Sequence, residues 1–289
     1  MNEFSKLSQK HIDELNRDGV LILPNLISED LVHEIKADSS IWNKKISFNN
    51  RLSSLIIGSN QWIEHVGLCS LKALQLSLDL SLIDFLKKYF KSDPVIGSIA
   101  IQKKIFAEKG IPLHSDLGDG LSIFIYLTEP EKEKGITEFV KKSHETEIHE
   151  NFKINTKVED ASYIDIKKSP FSTQDIMQTH GGLGTVVIFH RSIWHQLPKF
   201  SSAGREILMI QYFKKGSLAK DHLIKKSFLK MLTNSQKEVL IENSAAESSP
   251  SLVELGSNPD ALGVYKIPGW KMLYYFLKYK LFSKVKNSF

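Results

Sequence analysis

Residues 112–127 decide the fold of this chain; they read Pro-Leu-His-Ser-Asp-Leu-Gly-Asp-Gly-Leu-Ser-Ile-Phe-Ile-Tyr-Leu. The second half, residues 121–127, is rich in β-branched and aromatic residues and predicts a strand that begins after a turn at Gly118-Asp119-Gly120. In an extended chain, residues i and i+2 point to the same side, so His114 and Asp116 can reach one ion while Ser115 faces away. The stretch therefore predicts two strands joined by a turn, with an imidazole and a carboxylate on one face.

A third side chain suited to metal binding comes much later in the chain. His195 lies just past residues 184–190, which read Gly-Thr-Val-Val-Ile-Phe-His and predict another strand. An imidazole from a neighbouring strand would complete the two-histidine, one-carboxylate facial set that holds Fe(II) with open positions. A His-x-Asp pair alone is common, and by itself it fits an exposed strand end or a salt-linked loop. The metal hypothesis therefore needs support from the rest of the sequence.

The order of the predicted elements supplies part of that support. Strand-like segments separated by glycine turns recur, and they cover residues 95–106, 121–127, 136–140, 184–190 and 205–213. This spacing predicts an all-β sandwich or barrel.

Helices are predicted mainly on the N-terminal side of these strands. A helix through Ile12 and Leu15 would end at Gly19, a short strand follows at 19–26, and a second helix starts at Ser28. Residues 41–94 are predicted to be mainly helical, with a leucine-rich packing layer that includes a helix over 81–90. The predicted fold class is mainly β with flanking helices.

Composition fits a soluble globular protein, with 42% hydrophobic residues and a single cysteine. One cysteine excludes an internal disulfide and a multi-thiolate zinc site, and Cys69 is expected to be buried in a helix. The sequence shows no long apolar stretch and no export signal, so we expect a cytoplasmic protein.

The excess positive charge belongs to residues 268–289. This segment has five lysines and no acidic residue, which matches the net charge of +5, and aromatic residues are interleaved with the lysines. Such a composition suits peripheral contact with an anionic membrane surface, and a helix docked on the domain is an equal alternative. Nucleic acid is not an expected partner, because the charge is confined to one end of the chain.

Taken in order, these motifs resemble those of the phytanoyl-CoA dioxygenase family of Fe(II)- and 2-oxoglutarate-dependent oxygenases. The resemblance covers roughly residues 8–215. It is carried by Asp18-Gly19-Val20-Leu21-Ile22-Leu23-Pro24, by Leu113-His114-Ser115-Asp116, by the segment from Gly135 to Ser143-His144, and by the segment from Gly184 to Tyr212 with His195 and Arg205. It implies a double-stranded β-helix (jelly-roll, cupin-like) core in residues 1–215. Residues 216–289 lie beyond the resemblance and are predicted to form a C-terminal helical extension with a basic, aromatic tail.

The resemblance also implies roles for individual residues. His114, Asp116 and His195 would bind the iron, and Arg205 would pair with the far carboxylate of 2-oxoglutarate. A guanidinium suits that role because its planar fork of donors matches a carboxylate and stays charged when buried. Two further co-substrate contacts are expected from the strand before the ligand pair, at Gln102 and Lys104. A solvated strand face is an equal alternative for Lys104.

The implied reaction is hydroxylation of an unactivated C–H bond with Fe(II), O2 and 2-oxoglutarate, with release of succinate and CO2. Asp116 points to hydroxylation, because relatives that halogenate carbon have a small residue in its place. The expected substrate is a small molecule, and if residues 268–289 contact a membrane, a lipid- or glycan-type compound is expected. Residues 145–178 are polar and irregular and are predicted to form a lid over the site or an exposed excursion.

Two departures from the family pattern keep a second function open. Lys141-Lys142-Ser143-His144 stands where the family usually has Pro-Gly-Ser-His, and Gln196-Leu197 replaces small polar residues after the distal histidine. The alternative function is a catalytically inactive jelly-roll that acts as a binding or scaffold protein.

Three other histidines have no predicted catalytic role. His190 is predicted to be a hydrogen-bonded core histidine, with a position near the site as the alternative. His144 and His180 are predicted to lie in loops.

Overall fold

The described parts of the chain form helices packed on a pair of antiparallel sheets. The computed structural model describes residues 3–44, 55–57, 60–63, 66–104, 110–116, 118–145, 153–154, 161–164, 170–216, 224 and 226–240. Its helices are α1 (Gln9–Asp18), α2 (Glu29–Lys44), α3 (Val66–Cys69), α4 (Leu71–Ser77), α5 (Leu80–Phe90), α6 (Lys226–Lys230) and α7 (Asn234–Val239). Its strands are β1 (Val20–Leu23), β2 (Leu55–Ile57), β3 (Asn60–Ile63), β4 (Pro94–Lys104), β5 (Ile111–Asp116), β6 (Gly120–Tyr126), β7 (Glu138–Val140), β8 (Lys153–Ile154), β9 (Ala161–Ile164), β10 (Ile176–Gln178), β11 (Val186–His190), β12 (His195–Leu197) and β13 (Glu206–Lys214).

The two sheets form the predicted jelly-roll. The first has seven strands in the order β1-β11-β6-β13-β4-β3-β2, and the second has six in the order β10-β7-β12-β5-β9-β8. Sequence neighbours are mostly not spatial neighbours, as expected when strands alternate between two sheets. An apolar cluster between the sheets joins Phe124 and Phe189 of the larger sheet to Phe139 of the smaller one.

The helices cover the outer face of the seven-stranded sheet. Residues of α1, α2, α4 and α5 share one buried cluster with strands of that sheet. The central strand β6 is therefore covered on both faces and is buried along its whole length. This explains why its sequence is almost continuously apolar, with Ser122 as the polar exception.

The N-terminal predictions are confirmed. Helix α1 starts after Ser8 and ends at Gly19, whose φ of 75° is left-handed and whose N–H donates to Leu15 O at 2.8 Å. The following strand and the helix after Ser28 are also present as β1 and α2. Cys69 is buried at the end of α3, as predicted.

Two predictions needed correction. Residues 41–94 are mainly helical in their described part, and α5 confirms the helix predicted at 81–90, but β2 and β3 form an unpredicted hairpin that extends the larger sheet beyond β4. Residues 145–178, expected to be irregular, contain β8, β9 and β10 within the described residues. β8 and β9 extend the smaller sheet beyond β5, and β10 pairs with β7. These strands are short, and their side chains show no regular alternation of apolar and polar residues.

After β13, the described part of the chain returns to the helical side. Ile224, Leu232 and Val239 are buried in the same apolar cluster as the helices and the larger sheet. The basic segment 268–289 lies outside the described residues, so its predicted membrane contact stays a prediction. Among the residues that are described, no helix is both long and apolar enough to cross a membrane.

Candidate metal centre and arginine pocket

The three predicted metal ligands meet on the inner face of the smaller sheet. β5 carries His114 and Asp116 two positions apart, and β12 places His195 directly opposite His114. The two imidazole centroids are 4.1 Å apart. The potential ligand atoms of all three residues lie within 4.8 Å of one another. Residues that are far apart in sequence therefore form one cluster of donors.

Backbone carbonyls orient both imidazoles. His114 Nδ1 lies 2.8 Å from Pro112 O, and His195 Nδ1 lies 3.0 Å from Ile193 O. Because a carbonyl oxygen can only accept a hydrogen bond, Nδ1 of each ring carries the proton and donates it. Nε2 then keeps its lone pair, which is the arrangement that a metal-binding histidine requires.

The surroundings of His114 favour its uncharged form. Burial is the main cause that lowers the pKa of His114 to about 4; His195 lowers it further, while Asp116 opposes the shift. The His195 ring is 5.2 Å from the Phe189 ring and 5.9 Å from the Phe139 ring, measured between centroids. Since a metal binds the neutral form of imidazole, His114 is ready to bind an ion at neutral pH.

Main-chain contacts hold the ligand-bearing strands. The N–H of Asp116 donates to Arg191 O at 2.9 Å, which ties the end of β5 to the residue after β11. The N–H of Trp194, the residue before His195, donates to the buried Ser143 Oγ at 2.9 Å. The ligand positions are therefore fixed by the sheet and its connections.

This donor set fits a ferrous ion. Two neutral imidazoles and one carboxylate are the ligands of the facial triad, and they leave coordination positions for small molecules. Cys69 is buried in the core formed by the helices and the larger sheet, so it contributes no thiolate. A structural zinc site would use four protein ligands, whereas the described residues bring together only these three.

A buried arginine lies at the start of β13. Arg205 is 4% exposed. Its Nη2 donates to Thr137 Oγ1 at 2.7 Å, its Nη1 donates to Gln102 Oε1 at 3.3 Å, and the guanidinium carbon is 5.4 Å from the centre of the Tyr126 ring. Among the described residues, Nε has no hydrogen-bond partner and no carboxylate forms an ion pair with Arg205. A buried cation without a counter-charge is costly, so this environment favours an anion.

The other two predicted co-substrate residues lie beside Arg205. Gln102 contacts its guanidinium, and the backbone N–H of Lys104 donates to Arg205 O at 2.7 Å. The Lys104 side chain is 1% exposed, and its ammonium lies 5.5 Å from the centre of the Phe200 ring. The alternative of a solvated strand face is therefore wrong for Lys104. We call Arg205, Gln102, Lys104, Tyr126 and Thr137 the arginine pocket.

Sequence reasoning missed the hydroxyl groups of this pocket. The Tyr126 hydroxyl lies 3.2 Å from Thr137 Oγ1 and 3.4 Å from Thr179 Oγ1, and it accepts the Thr137 N–H at 3.3 Å. Burial raises the pKa of Tyr126, but the Arg205 charge and these hydrogen bonds outweigh burial, so its pKa is below the usual value. The only signal in the sequence is a tyrosine at the end of a strand that is apolar apart from Ser122.

His190 is the hydrogen-bonded core histidine that the sequence predicted. Its Nε2 pairs with the Tyr89 hydroxyl of α5, so the ring points to the helical layer and away from the space between the sheets. The His144 ring stacks on it at 4.9 Å, and His144 Nε2 lies 3.1 Å from Asn16 O. The prediction of a loop position for His144 is wrong, because its buried side chain belongs to a short 3-10 helix, Ser143–Glu145. His180 is exposed in a loop, as predicted.

The two departures from the family pattern leave the donor cluster intact. Lys142 adopts a left-handed φ of 62° at the position where the family usually has glycine. Gln196 Nε2 donates to Glu138 Oε2 at 2.7 Å, across the pair β12–β7. Because neighbouring residues of a strand face opposite sides, this contact lies on the face away from His195.

No family model matches the sequence, and no curated protein matches it. Solved structures, in contrast, do match the fold of this chain. HygX from Streptomyces hygroscopicus, with nickel and 2-oxoglutarate bound, aligns at 12% identity over 75% of this chain and 91% of HygX, with a TM-score of 0.57. SnoN, the non-heme alpha-ketoglutarate-dependent epimerase from nogalamycin biosynthesis, aligns at 14% identity over 71% of this chain and 80% of SnoN, with a TM-score of 0.58.

The chain has the fold of these enzymes. HygX has also been solved with nickel, 2-oxoglutarate and hygromycin B, and SnoN with Fe3+, alpha-ketoglutarate and nogalamycin RO. At such identities the likeness establishes the fold alone. Membership of the phytanoyl-CoA dioxygenase family therefore stays a prediction.

Proposed function

We propose that this protein is an Fe(II)- and 2-oxoglutarate-dependent oxygenase that hydroxylates an unactivated C–H bond of a small-molecule substrate. One observation carries the proposal: the same barrel contains a two-histidine, one-carboxylate cluster and a buried arginine that no carboxylate of the described residues neutralises. His114, Asp116 and His195 would hold the iron. Arg205 would bind the far carboxylate of 2-oxoglutarate.

The remaining residues of the arginine pocket support this role. Gln102 and Thr137 accept hydrogen bonds from the guanidinium and so fix the plane of its fork. Lys104 is a second buried basic residue, and its backbone N–H donates to Arg205 O. Structures of HygX and SnoN with 2-oxoglutarate bound show that this fold accommodates the co-substrate, which supports the proposal.

When bound, iron supplies the oxidative chemistry: 2-oxoglutarate is converted to succinate and CO2, and one oxygen atom of O2 enters the substrate as hydroxyl. The protein side chains have other tasks. The Pro112 and Ile193 carbonyls accept from Nδ1 of the two imidazoles and so turn Nε2 of each ring towards the metal position. The Phe139 and Phe189 rings keep water away from His195.

Asp116 favours hydroxylation over halogenation, because a carboxylate at this position occupies a coordination site that a halide would need. SnoN is described as an epimerase, so the product has to be identified directly. With a substrate in hand, mass spectrometry after turnover in isotopically labelled O2 should show one labelled oxygen atom in the product. A product of unchanged mass would contradict hydroxylation.

The first test is calorimetric titration of 2-oxoglutarate into anaerobic protein, with and without Fe(II). We expect binding that depends on Fe(II) and is lost in Arg205→Ala. Arg17→Ala serves as the matched control, since Arg17 is an exposed guanidinium on α1. Fe(II)-loaded protein should also form succinate slowly without its substrate, and His114→Ala should abolish this turnover.

One result would overturn the proposal. If folded, iron-loaded protein does not bind 2-oxoglutarate, the jelly-roll would be a binding or scaffold module, and the donor cluster would be structural.

We also propose that the protein acts in the cytoplasm and that residues 268–289 bring it to an anionic membrane surface. The support is the sequence alone, in which five lysines are interleaved with aromatic residues. Full-length protein should float with vesicles containing phosphatidylserine and not with pure phosphatidylcholine vesicles. Changing the five lysines to glutamine should abolish flotation. Failure of the unchanged protein to float would favour a segment docked on the domain.

A further inference from the structure

Along β4 and β13 the inner face of the larger sheet is closed at one end and open at the other, whereas the inward residues of β6 and β11 are buried throughout. On β4 the exposed fraction of the inward side chains rises along the strand, in the order Lys104 (1%), Gln102 (5%), Ala100 (8%) and the partly exposed Ser98. On β13 the inward Ile207 is fully buried, whereas Met209 and Gln211 are partly exposed. The arginine pocket is therefore at the closed end, and a substrate would approach from the open end.

A row of polar residues crosses the sheet at the open end. Gln211 of β13 is directly opposite both Ser122 of β6 and Ser98 of β4. Directly opposite side chains on one face of an antiparallel sheet are close neighbours. Ser122, Gln211 and Ser98 thus lie side by side across the sheet, with Ser122 buried and the other two partly exposed, and we call them the polar row.

The polar row begins beside the metal centre. Ser122 is directly opposite Phe189 on β11, and the Phe189 ring is 5.2 Å from the His195 ring. The polar row is also separate from the arginine pocket. An apolar row lies between them in the same register, and it consists of Val187, Phe124, Met209 and Ala100.

The polar row offers unused hydrogen-bonding groups. Ser98 Oγ donates to Gln211 Oε1 at 2.9 Å, which turns the amide so that its nitrogen remains available as a donor. Ser122 is 1% exposed, and its Oγ has no hydrogen-bond partner among the described residues. A buried hydroxyl without a partner is unfavourable, so a ligand that supplies one would be stabilised there.

The chemistry of this surface is neutral. The inward residues of the polar and apolar rows carry hydroxyl, amide and apolar groups and no charge. A hydroxyl group both donates and accepts, so it can complement the Ser122 hydroxyl and the Gln211 amide together. An amine or a carboxylate would find no opposite charge in these rows, and a plain alkyl chain would leave their polar groups unsatisfied.

We propose that the polar row binds substrate hydroxyl groups, and that the substrate is a neutral polyhydroxylated ring such as a glycosyl or cyclitol unit. Ser122 and Gln211 are then specificity-determining residues. Met209 and Phe124 pack against the C–H groups of the same ring and hold it beside the metal centre. This inference rests on the proposed function, since it names the substrate class of that site.

The test uses full-length protein loaded with Fe(II) and 2-oxoglutarate without oxygen. The probes are methyl α-glucopyranoside and myo-inositol, with octanoate as the apolar comparison and methylamine as the cationic one. Saturation-transfer NMR measures binding. Succinate formation after admission of air measures stimulation of turnover. Binding of at least one hydroxylated probe, and none of octanoate or methylamine, is the expected result.

Three variants test the residues. Ser122→Ala and Gln211→Leu should each weaken binding of the hydroxylated probe by roughly tenfold, the loss of about one hydrogen bond. Both should leave the affinity for 2-oxoglutarate unchanged, because the apolar row separates the two residues from the arginine pocket. Gln174→Leu is the control, because Gln174 is an exposed glutamine in the 3-10 helix Thr173–Asp175. It should bind the probe normally.

The outcomes separate this inference from the proposed function. If unchanged protein does not bind 2-oxoglutarate, the proposed function fails. If it binds 2-oxoglutarate but prefers octanoate or methylamine, or binds neither hydroxylated probe at millimolar concentration, only the polar-row inference fails. If both Ser122→Ala and Gln211→Leu bind the hydroxylated probe as well as the unchanged protein does, the polar-row inference is also overturned. A lower melting temperature of Ser122→Ala would show that its hydroxyl has a structural partner, which contradicts the inference.

Discussion

His114 and His195 lie directly opposite each other on neighbouring strands, with their ring centroids 4.1 Å apart. Each ring is held through Nδ1 by the carbonyl two residues earlier in its own chain segment. The geometry of the candidate metal centre therefore depends on the register of β5 and β12. Because the β-ladder itself uses only backbone groups, the ligand side chains can be changed without removing the strands that position them.

Asp116→Ala should reduce the affinity for Fe(II) by more than about 100-fold, since removal of a direct ligand should cost more than loss of an outer partner. Formation of succinate should be lost as well. Metal binding can be followed with Co(II) as a spectroscopic probe. Asp119→Ala is the matched control, because Asp119 is an exposed carboxylate in the following turn. Equal metal affinities of the two variants would show that Asp116 is not a ligand.

Thr137→Val tests how the arginine pocket is built. Valine keeps the shape of the side chain but removes the oxygen that accepts from Arg205 Nη2 at 2.7 Å. We expect the dissociation constant for 2-oxoglutarate to rise about tenfold and the free energy of unfolding to fall by roughly 1–3 kcal/mol, because a buried donor loses its partner. Calorimetry and urea denaturation measure the two effects.

The control for Thr137→Val is Thr185→Val. Thr185 is buried, and its Oγ1 donates to Gly182 O at 2.8 Å, so valine removes a comparable hydrogen bond outside the arginine pocket. This variant should lose stability and keep its affinity for 2-oxoglutarate. A similar loss of affinity in both variants would mean that Thr137 acts through general stability alone.

The strands and the pairing of His114 with Asp116 could be predicted because their signals are local. His114 and Asp116 share a face through a period of two residues, and the long apolar strands stand out between glycine turns. The sequence also placed Arg205 correctly at the start of the last long strand.

The parts that could not be predicted depend on strand order. Tyr126, Thr137 and Arg205 come together because β13 lies beside β6 while β7 faces it from the other sheet, and no local pattern records this. The sequence also did not decide which face of the larger sheet carries the His190 side chain. β11 is buried on both faces, so alternation of apolar and polar residues does not distinguish them.

Gly19→Ala should destabilise the protein by roughly 2–4 kcal/mol. Gly19 has a left-handed φ of 75°, and an added Cβ would lie 2.3 Å from His144 Nδ1. The conformation costs about 1–2 kcal/mol, and displacement of the packed His144 ring adds a similar amount. Gly216→Ala is the control, with φ of 94° and no atom within 4 Å of the added Cβ. Urea denaturation should show a clearly smaller loss for Gly216→Ala, and equal losses would mean that His144 moves aside freely.

Acid should destabilise the protein through His190. Burial lowers the pKa of His190 to about 4, His144 lowers it further, and Asp119 opposes the shift. A histidine in the unfolded chain has a pKa near 6.5. As the pH falls, the unfolded state therefore binds a proton at His190 before the folded state does. The stability that neutral His190 contributes is complete above about pH 6.5 and is lost as the pH falls towards 4, at up to about 1.4 kcal/mol per pH unit. The Tyr89 hydroxyl that pairs with it stays protonated throughout, because burial raises the pKa of Tyr89.

His190→Gln should therefore flatten the pH dependence of stability. Between pH 7 and pH 5 we expect this variant to lose roughly 2 kcal/mol less than the unchanged protein, as measured by urea denaturation at each pH. His33→Gln on the exposed face of α2 should behave like the unchanged protein. His114, whose pKa is also lowered to about 4, should retain its own acid sensitivity in both variants. If His190→Gln and the unchanged protein lose stability in parallel, the proton enters elsewhere, and the His190–Tyr89 contact does not keep the imidazole neutral.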